Sequence, residues 1–466
     1  MDTERATVPA PATALAAACP SLRAGTPDDA VAGAEGLVPA YVASPASTQE
    51  AAGLLAAAAA AGLAVVPRGA GTGFGWGSPP SRCDLVVDLR AMNQVIEHEA
   101  GDLVVRVQAG MTIGQLASAL ASAGQELALD VPAEATVGGV VATGTTGPRR
   151  LRYGSPRDLL IGLTVVRADG VIARSGGKVV KNVAGYDLGK LFAGSHGTLG
   201  LITEATFRLH PRPAALTWVT AEFGVAERSD ASTAPAGLVS ASEAVASAAG
   251  SALVPSAVEL DWPGGSPQSP RPLRVGVLLE GTASGVAERA GRMSDLLTAA
   301  GGGPVSVSET APVRWGALPE GSPSRGGLGG IRVSSPRACT VARVSFWVSA
   351  LDSVLRALVA AGESAGVRPA VTGPAGAGAL YACLDPDTPV PAAARFVIAL
   401  RERVARLSGT AGPRGSVAVL AGSPAALAAA EAYRDVSGAA LMRAVRDQFD
   451  PDHRMFPGRF AFAGGD

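Results

Sequence analysis

The chain has 466 residues and a formal net charge of −1, so it lacks the overall basic field that binds nucleic acid or an anionic membrane surface. Aromatic residues make up only 4% of it, which argues against a surface that stacks bases. At roughly 100 to 200 residues per domain, this length predicts two or three domains around a large core.

The cysteines and the apolar runs exclude further classes of protein. Four cysteines stand far apart, without the close spacing of a zinc or iron–sulfur site, so we predict no metal centre. The first residues lack the basic and apolar regions of a signal peptide, which predicts a cytoplasmic location, at most peripheral on the membrane through partners. The longest apolar run, residues 51–66, is shorter than the ~20 residues of a membrane span, so direct insertion is not expected.

The first predicted elements surround a glycine-rich loop. Residues 1–36 are rich in Ala and Pro and predict an irregular lead-in. Ser47 and Glu50 fit a capping box that begins a helix. A short strand over residues 63–67 then leads into residues 68–77, where glycines alternate with other residues. Glycine is unfavourable inside helices and strands, so this loop presents its backbone, although it fits neither a dinucleotide fingerprint nor a Walker A loop.

The next segments continue an α+β pattern. Strands are predicted over residues 85–89 and 103–107, followed by a helix over residues 112–123. Residues 132–144 form a second glycine-bearing loop, and a strand over residues 159–166 comes after it. Strands interrupted by single helices in this way indicate an α+β domain.

A third segment, residues 176–213, contains all three lysines of the chain, Lys178, Lys181 and Lys190. Gly194, Gly197 and Gly200 follow at intervals of three, ahead of an alternating strand over residues 201–209. Glycines at such positions let backbone N–H groups approach an anion without a Cβ in the way.

In their order and spacing the three loops resemble the FAD-binding domain of the vanillyl-alcohol oxidase and p-cresol methylhydroxylase (PCMH) family. The resemblance implies a PCMH-type domain of two α+β subdomains over residues 37–214, with FAD between them. It implies that the first loop wraps the pyrophosphate and that the other two line the flavin and the adenosine half. The cofactor-binding residues implied in this way are Pro67, Arg68, Gly69, Ala70, Gly71, Thr72, Gly73, Pro132, Thr136, Val137, Gly138, Gly139, Thr143, Gly147, Tyr153, Gly154, Ser195, Gly197, Gly200 and Ile202.

Two departures from the family pattern bear on the cofactor. Members with covalently bound flavin often carry a histidine where this chain has Thr72, so we expect noncovalent FAD. His196 stands where the family usually has glutamate. A histidine beside a flavin could titrate near neutral pH, but a solvent-facing turn residue is the preferred interpretation.

The second half predicts a smaller cap domain over residues 215–440, with an antiparallel sheet and helices. Strands are expected over residues 273–280, 338–348 and 379–384, and helices over residues 283–300, 351–361 and 392–407. Segments rich in Ala, Ser, Gly and Pro, including residues 225–257, predict long loops or disordered insertions. Residues 441–466 predict a helix and a tail that return to the FAD domain.

Residues 211–452 contain no histidine, whereas hydroxy-acid oxidising relatives of the D-type glycolate oxidase flavoprotein use clustered cap histidines as metal ligands or bases. Residues 177–188, 331–336 and 456–460 instead resemble the E-type FAD-binding subunit of glycolate oxidases. That resemblance implies a small hydroxy-acid substrate, with a D-type flavoprotein and an iron–sulfur subunit as partners.

Two alternatives stay open. One is a stand-alone FAD-dependent dehydrogenase of another alcohol or hydroxy acid, with Tyr381, Lys181 or Arg332 recruited near the flavin. Tyr381 and Lys181 are the candidate bases, and each would need a strongly lowered pKa. The other is a flavin-fold scaffold that binds partners without redox turnover.

Overall fold

The computed structural model describes residues 11–31, 37–178, 187–224, 236–263, 272–312, 315–316, 339–409, 412–413, 415–431, 436 and 438–459. Its first half alternates short strands and helices around two sheets. These elements are α1 (Pro11–Ala18), β1 (Arg23–Ala24), β2 (Tyr41–Ala43), α2 (Thr48–Ala60), β3 (Val65–Arg68), β4 (Leu85–Asp88), β5 (Val95–Glu99), β6 (Val104–Gln108), α3 (Ile113–Leu120), β7 (Gln125–Glu126), α4 (Val137–Thr143), α5 (Arg150–Tyr153), α6 (Pro156–Leu159), β8 (Leu160–Val166), β9 (Ile172–Gly176), α7 (Gly189–Phe192), β10 (Leu201–Arg208) and β11 (His210–Pro211).

Two sheets of different type organise this half. A four-stranded sheet has the order β1-β2-β4-β3, in which β2, β4 and β3 run parallel. A five-stranded antiparallel sheet has the order β5-β6-β10-β8-β9. Helix α2 packs on α1 and on β8 and β10 of the five-stranded sheet, and its residues at helical spacing, from Ala51 through Leu54 and Leu55 to Ala58, are fully buried.

The predicted helix starts are confirmed with one change of detail. Thr112 and Gln115 form the expected capping box at α3. Ser47 caps α2 by accepting from the Glu50 N–H, but the Glu50 carboxylate accepts from the backbone N–H of Ala46 rather than that of Ser47. The irregular lead-in also differs from expectation, because α1 lies within it and packs on α2 through the fully buried Leu15.

The second half is built on one large sheet with helices on one face. Its elements are β12 (Ala215–Phe223), α8 (Ala236–Ala249), β13 (Ala257–Trp262), β14 (Leu273–Gly281), α9 (Ala283–Ala299), β15 (Val305–Ser308), β16 (Val341–Phe346), α10 (Leu351–Ala365), β17 (Ala370–Gly373), β18 (Ala379–Cys383), α11 (Val390–Ala405), β19 (Ser408–Gly409), β20 (Gly412–Pro413), β21 (Gly415–Ala421), α12 (Pro424–Ala429) and α13 (Ala439–Phe449). The helix α8 is a correction, since residues 225–257 were predicted as loop or insertion. Its alanines and serines hid the apolar face that packs on the sheet.

The cap sheet, as we name the antiparallel eight-stranded sheet β15-β12-β14-β13-β17-β18-β16-β21, has two chemically different faces. One face packs its apolar side chains against α8 to α11. The other face carries a row of polar residues, each paired directly with the next one across neighbouring strands. Residues paired in this way point to the same side of the sheet. The row is Glu222, Arg274, Asp261, Thr372, Tyr381 and Arg343.

The end of the described chain lies on the first half. The N–H of Val65 donates to the carbonyl of Arg454 (2.8 Å), and the N–H of Phe456 donates back to Val65 (2.9 Å). Residues 454–456 therefore run along β3, the strand that leads into the first glycine loop. Within the described ranges, no helix is both long enough and apolar enough to cross a bilayer.

Candidate functional site

The three glycine segments meet in one cleft between the four-stranded and five-stranded sheets, which we call the flavin cleft for the cofactor predicted there. Its walls are the loop after β3, the first turns of α4 and the turn before β10. The predicted cofactor residues that line it are Pro67, Arg68, Gly69, Ala70, Gly71, Thr72, Gly73, Thr136, Gly138, Gly139, Thr143, Gly197, Gly200 and Ile202. The predicted residues outside its lining are Pro132, Val137, Gly147, Tyr153, Gly154 and Ser195.

The first loop has the donors that an anion needs. The backbone N–H groups of residues 70–73 have no protein acceptor in the part of the chain that the structure describes. The loop is held in a turn by the Phe74 N–H, which donates to the Gly71 carbonyl at 3.1 Å. Consecutive unpaired N–H groups in such a turn form an anion-binding concavity, so this loop fits a pyrophosphate.

Two glycines of this loop, Gly69 and Gly73, have a packing role that the sequence did not reveal. A Cβ on Gly69 would lie 2.1 Å from Thr136 Oγ1, and one on Gly73 would lie 2.8 Å from Thr143 Cγ2. Both neighbours belong to α4 or its N-cap. These glycines therefore let the loop lie directly on α4, whereas Gly71, with φ of 78°, has open space around it.

The second predicted segment is a loop only as far as Thr136, because Val137–Thr143 form the helix α4 with Thr136 as its N-cap. The Gly138 N–H donates to the Ala109 carbonyl at 2.7 Å, and the Gly139 N–H donates to Thr136 Oγ1 at 3.3 Å. These donors bond within the protein. Gly138 and Gly139 therefore shape the wall of the cleft rather than supply free N–H groups to it.

The third turn is anchored on α4 and forced by glycine. The N–H groups of Gly194 and His196 donate to the carbonyls of Val141 (3.0 Å) and Ala142 (2.7 Å). Gly200 has φ of 144°, and a Cβ there would lie 2.8 Å from the Val166 carbonyl oxygen. Any side chain at Gly200 would disturb the fold itself, as well as the cleft.

His196 is not the solvent-facing turn residue that we predicted. It lines the flavin cleft and is only partly exposed. Burial, together with the positive charges of Arg459 and Arg343, lowers its pKa to about 3. The imidazole is therefore neutral at physiological pH and is a weak base.

Residues near the end of the chain complete the cleft and were missed by the sequence-based prediction. Arg459 is 2% exposed, and its Nη2 donates to the Phe74 carbonyl at 3.0 Å. Its guanidinium lies 3.9 Å from the ring centroid of Phe456, within the range of a cation–π contact. The signal was the resemblance of the Phe456-Pro457-Gly458 ending, which carried no assigned role.

Neither candidate base gains support as a base. Lys181 lies outside the described residues. Tyr381 is 8% exposed in a cluster with Trp76, beside the first loop. Burial raises the pKa of Tyr381, although Arg343 and Arg150 oppose that shift. A general base would need the opposite shift.

A partly buried arginine, Arg149, joins the two halves. Arg149 is bound by Asp130 (2.7 Å) and Glu126 (2.8 Å) of the first half and by Glu280 of β14 (3.2 Å). The hydroxyl of Tyr153 also donates to Glu280 at 2.9 Å. Burial would lower the pKa of Arg149, but the three carboxylates outweigh it and raise that pKa. Tyr153, which was predicted to bind the cofactor, takes part in this contact through its hydroxyl.

Comparison with known proteins agrees with this geometry. Residues 39–176 match the family model described as FAD binding domain. The chain is 40% identical over 178 residues to the glycolate oxidase protein GlcD of Bacillus subtilis, and 40% identical over 144 residues to the glycolate oxidase protein GlcE of Escherichia coli. These alignments cover 38% and 30% of this chain, and they span only 38% and 41% of the two relatives.

The fold extends much further than the sequence similarity. The structure of p-cresol methylhydroxylase with substrate bound superposes with a TM-score of 0.73 at 17% identity, covering 97% of this chain and 96% of that one. A 4-ethylphenol oxidase from Gulosibacter chungangensis gives a TM-score of 0.67 over the same coverage. Residues 39–176 are therefore a FAD binding domain, carried by a chain that has the α+β fold of p-cresol methylhydroxylase.

Proposed function

We propose that this protein is an FAD-dependent oxidoreductase of small 2-hydroxy acids, working as the FAD-binding subunit of a glycolate oxidase-like complex. Its partners would be a GlcD-like flavoprotein and an iron–sulfur subunit. Residues 37–214 would bind FAD, residues 215–440 would form the cap, and residues 441–466 would close the site. The observation that carries the proposal is the loop over residues 70–73, whose N–H groups lack protein acceptors within the described ranges.

The residues of the flavin cleft fit noncovalent FAD. The N–H groups of residues 70–73 would bind the pyrophosphate. His196, Phe456 and Arg459 would form the opposite wall of the cofactor site. Bound FAD supplies a hydride acceptor. The chain itself contributes orientation and exclusion of water, which are general ways in which a protein supports a cofactor.

Support for membership of a complex comes from two described groups that could take a proton, His196 in the cleft and Tyr381 beside the first loop. Oxidation of a hydroxy acid needs an acceptor for the hydroxyl proton, and a positioned base typically contributes roughly 10² to 10⁴ in rate. The pKa of His196 is lowered to about 3, and that of Tyr381 is raised. Neither group is matched to this step near neutral pH, so a partner protein is expected to support turnover.

The deciding experiment is anaerobic mixing of the purified FAD-loaded chain with millimolar glycolate or D-lactate, followed by flavin absorbance near 450 nm. We expect slow or no bleaching, whereas dithionite bleaches the flavin fully. Rapid reduction by either acid alone would favour a stand-alone dehydrogenase. Tagged purification from the native cell should recover both partner proteins with the chain.

Noncovalent binding has its own test, because the structure brings His196 into the cleft although Thr72 replaces the usual histidine of the first loop. Acid precipitation should release all flavin as FAD and leave a colourless pellet. A yellow pellet from the wild type that becomes colourless in His196→Gln would instead identify a covalent tether at His196.

A further inference from the structure

Arg68 is a charged side chain that lines the flavin cleft and ends β3, just before the loop with unpaired N–H groups. Among the described residues, only one nitrogen of its guanidinium has an acceptor. This nitrogen, Nη2, donates to Asp29 Oδ1 at 3.3 Å and to Asp88 Oδ2 at 3.1 Å. Nε is buried without a partner in the same residues, so Nη1 is the donor left for a group in the cleft.

The two acids that hold Arg68 come from distant parts of the chain. Asp29 lies in a short 3-10 helix within the segment that the sequence predicted as an irregular lead-in, and Asp88 ends β4. They are 5% and 4% exposed. A buried carboxylate is costly unless it is paired, so both acids need cations at fixed positions.

Each acid has a second arginine on its outer side. Arg23 donates to both carboxylate oxygens of Asp29, at 2.6 and 2.7 Å. Arg90 donates to Asp88 through Nη2 at 2.6 Å and through Nε at 2.9 Å. The side chains of these two arginines are 50% and 61% exposed. The five side chains are therefore three arginines and two acids, and Arg68 is the arginine that has no carboxylate of its own.

Both acids stay ionised near neutral pH. The hydrogen bond from Arg23 lowers the pKa of Asp29, against the opposing effect of burial. Burial would raise the pKa of Asp88, but the hydrogen bonds from Arg90 outweigh it and lower that pKa. The two carboxylates therefore hold the Arg68 guanidinium without a change in their own charge.

A guanidinium that is held through one nitrogen suits a phosphate. Arginine binds phosphate oxygens in a fixed planar geometry, and charge-assisted hydrogen bonds are stronger than neutral ones. Residues 69–77 contain no charged side chain, so this loop offers an anion only neutral N–H donors. Arg68 would add a positive charge beside those donors.

We propose that Asp29 and Asp88 are positioning residues, which aim Arg68 at the pyrophosphate of FAD. Arg68 binds that group together with the N–H groups of residues 70–73, and the two acids act through Arg68. The proposal rests on FAD as the cofactor, but not on the substrate or the partners proposed above.

Titration of the flavin-free full chain with FAD, followed by flavin fluorescence, tests this contact. Arg68→Gln should weaken FAD binding roughly 10- to 150-fold, the range of one hydrogen bond to a charged group. Asp29→Asn and Asp88→Asn, which loosen Arg68 but keep it, should each weaken binding roughly 2- to 12-fold. Arg82→Gln removes an arginine that pairs with Asp84 outside the cleft lining, and should stay within twofold of wild type.

A double-mutant cycle separates positioning from a purely structural role. Once Arg68 is changed to Gln, the substitutions at Asp29 and Asp88 should alter FAD affinity by less than twofold. If the acids only stabilised the fold, their losses would add to that of Arg68→Gln. The outer arginines still pair both acids in this variant, so we expect it to fold, as urea unfolding will show. Arg68→Met is the second variant for the cycle if Gln does not fold.

Phosphorus NMR of the FAD-loaded proteins identifies the group that Arg68 contacts. The pyrophosphate resonances should shift between wild type and Arg68→Gln, and should coincide between wild type and Arg82→Gln. Unchanged FAD affinity in Arg68→Gln, additive losses in the cycle, or pyrophosphate resonances that coincide in wild type and Arg68→Gln would each overturn the proposal.

Discussion

The flavin cleft and the polar face of the cap sheet present different kinds of chemical group. The flavin cleft presents backbone N–H groups from one short loop, with glycines that let this loop lie on α4. A second cavity, on the polar face of the cap sheet, is lined by side chains of β12, β13, β14 and β15 and by Trp315, so its three acids and two indoles come from positions as far apart as Trp218 and Trp315. A site built from backbone groups is determined by a few consecutive residues. A site built from side chains depends on which strands pair.

The largest expected effect comes from breaking the contact between the two halves. Arg149→Ala would leave Glu126, Asp130 and Glu280 without their common cation in a mostly buried setting. Removing one partner of a buried ionic network destabilises by about 3 to 5 kcal/mol. Urea unfolding should show this loss in the free energy of unfolding.

The matched control is the exposed neighbour Arg152, whose change to Ala should alter stability by less than about 0.5 kcal/mol. If Arg149→Ala and Arg152→Ala unfold at the same urea concentration, Arg149 does not hold the halves together.

A smaller effect tests the electrostatics around Glu259, on the polar face of the cap sheet. Glu259 has a pKa of about 8 in the folded chain against a usual value of 4.5, so the folded state keeps a proton that the unfolded chain releases. Its contribution to stability is complete below pH 4.5 and is lost as pH rises toward 8. Between pH 5.5 and 7.5 the wild type should therefore lose about 2 to 3 kcal/mol more stability than Glu259→Gln.

Parallel pH profiles of urea unfolding for the two proteins check this difference. Superimposable profiles would show that Glu259 titrates normally and that its surroundings are not of low polarity.

The smallest effect addresses the flavin cleft. Gly69→Ala places a Cβ 2.1 Å from Thr136 Oγ1, so the first loop must move away from α4. Overpacking of this kind costs about 1 to 3 kcal/mol, which corresponds to roughly a 5- to 150-fold loss of FAD affinity if the strain falls on the bound loop. Fluorescence titration of the flavin-free chain with FAD measures it.

Gly101→Ala is the control for this substitution, since a Cβ there meets nothing within 4 Å. It should bind FAD like the wild type. Equal FAD affinity in Gly69→Ala and Gly101→Ala would mean that the contact between the loop and α4 does not position the cofactor site.

Features that depend on neighbouring residues could be predicted before the fold was known. Capping at Thr112, the backbone-presenting loop over residues 68–77 and the α+β order of elements all follow from local patterns, because caps, glycine loops and strand alternation involve only a few consecutive residues. The resemblance of three ordered loops predicted FAD and the PCMH-type fold, and the FAD binding domain and the superposition on p-cresol methylhydroxylase confirm both.

The remaining features depend on how the folded chain packs. Packing placed His196 in the cleft rather than in solvent, brought Arg459 against Phe74, and made a helix of the second glycine segment, whose N–H groups have acceptors at Ala109 and Thr136. It also gave Glu259 a pKa of about 8 through burial on a sheet face. Residues distant in the chain decide how buried a side chain is, which charges lie near it and which acceptor a backbone N–H finds. No pattern of consecutive residues predicts these properties.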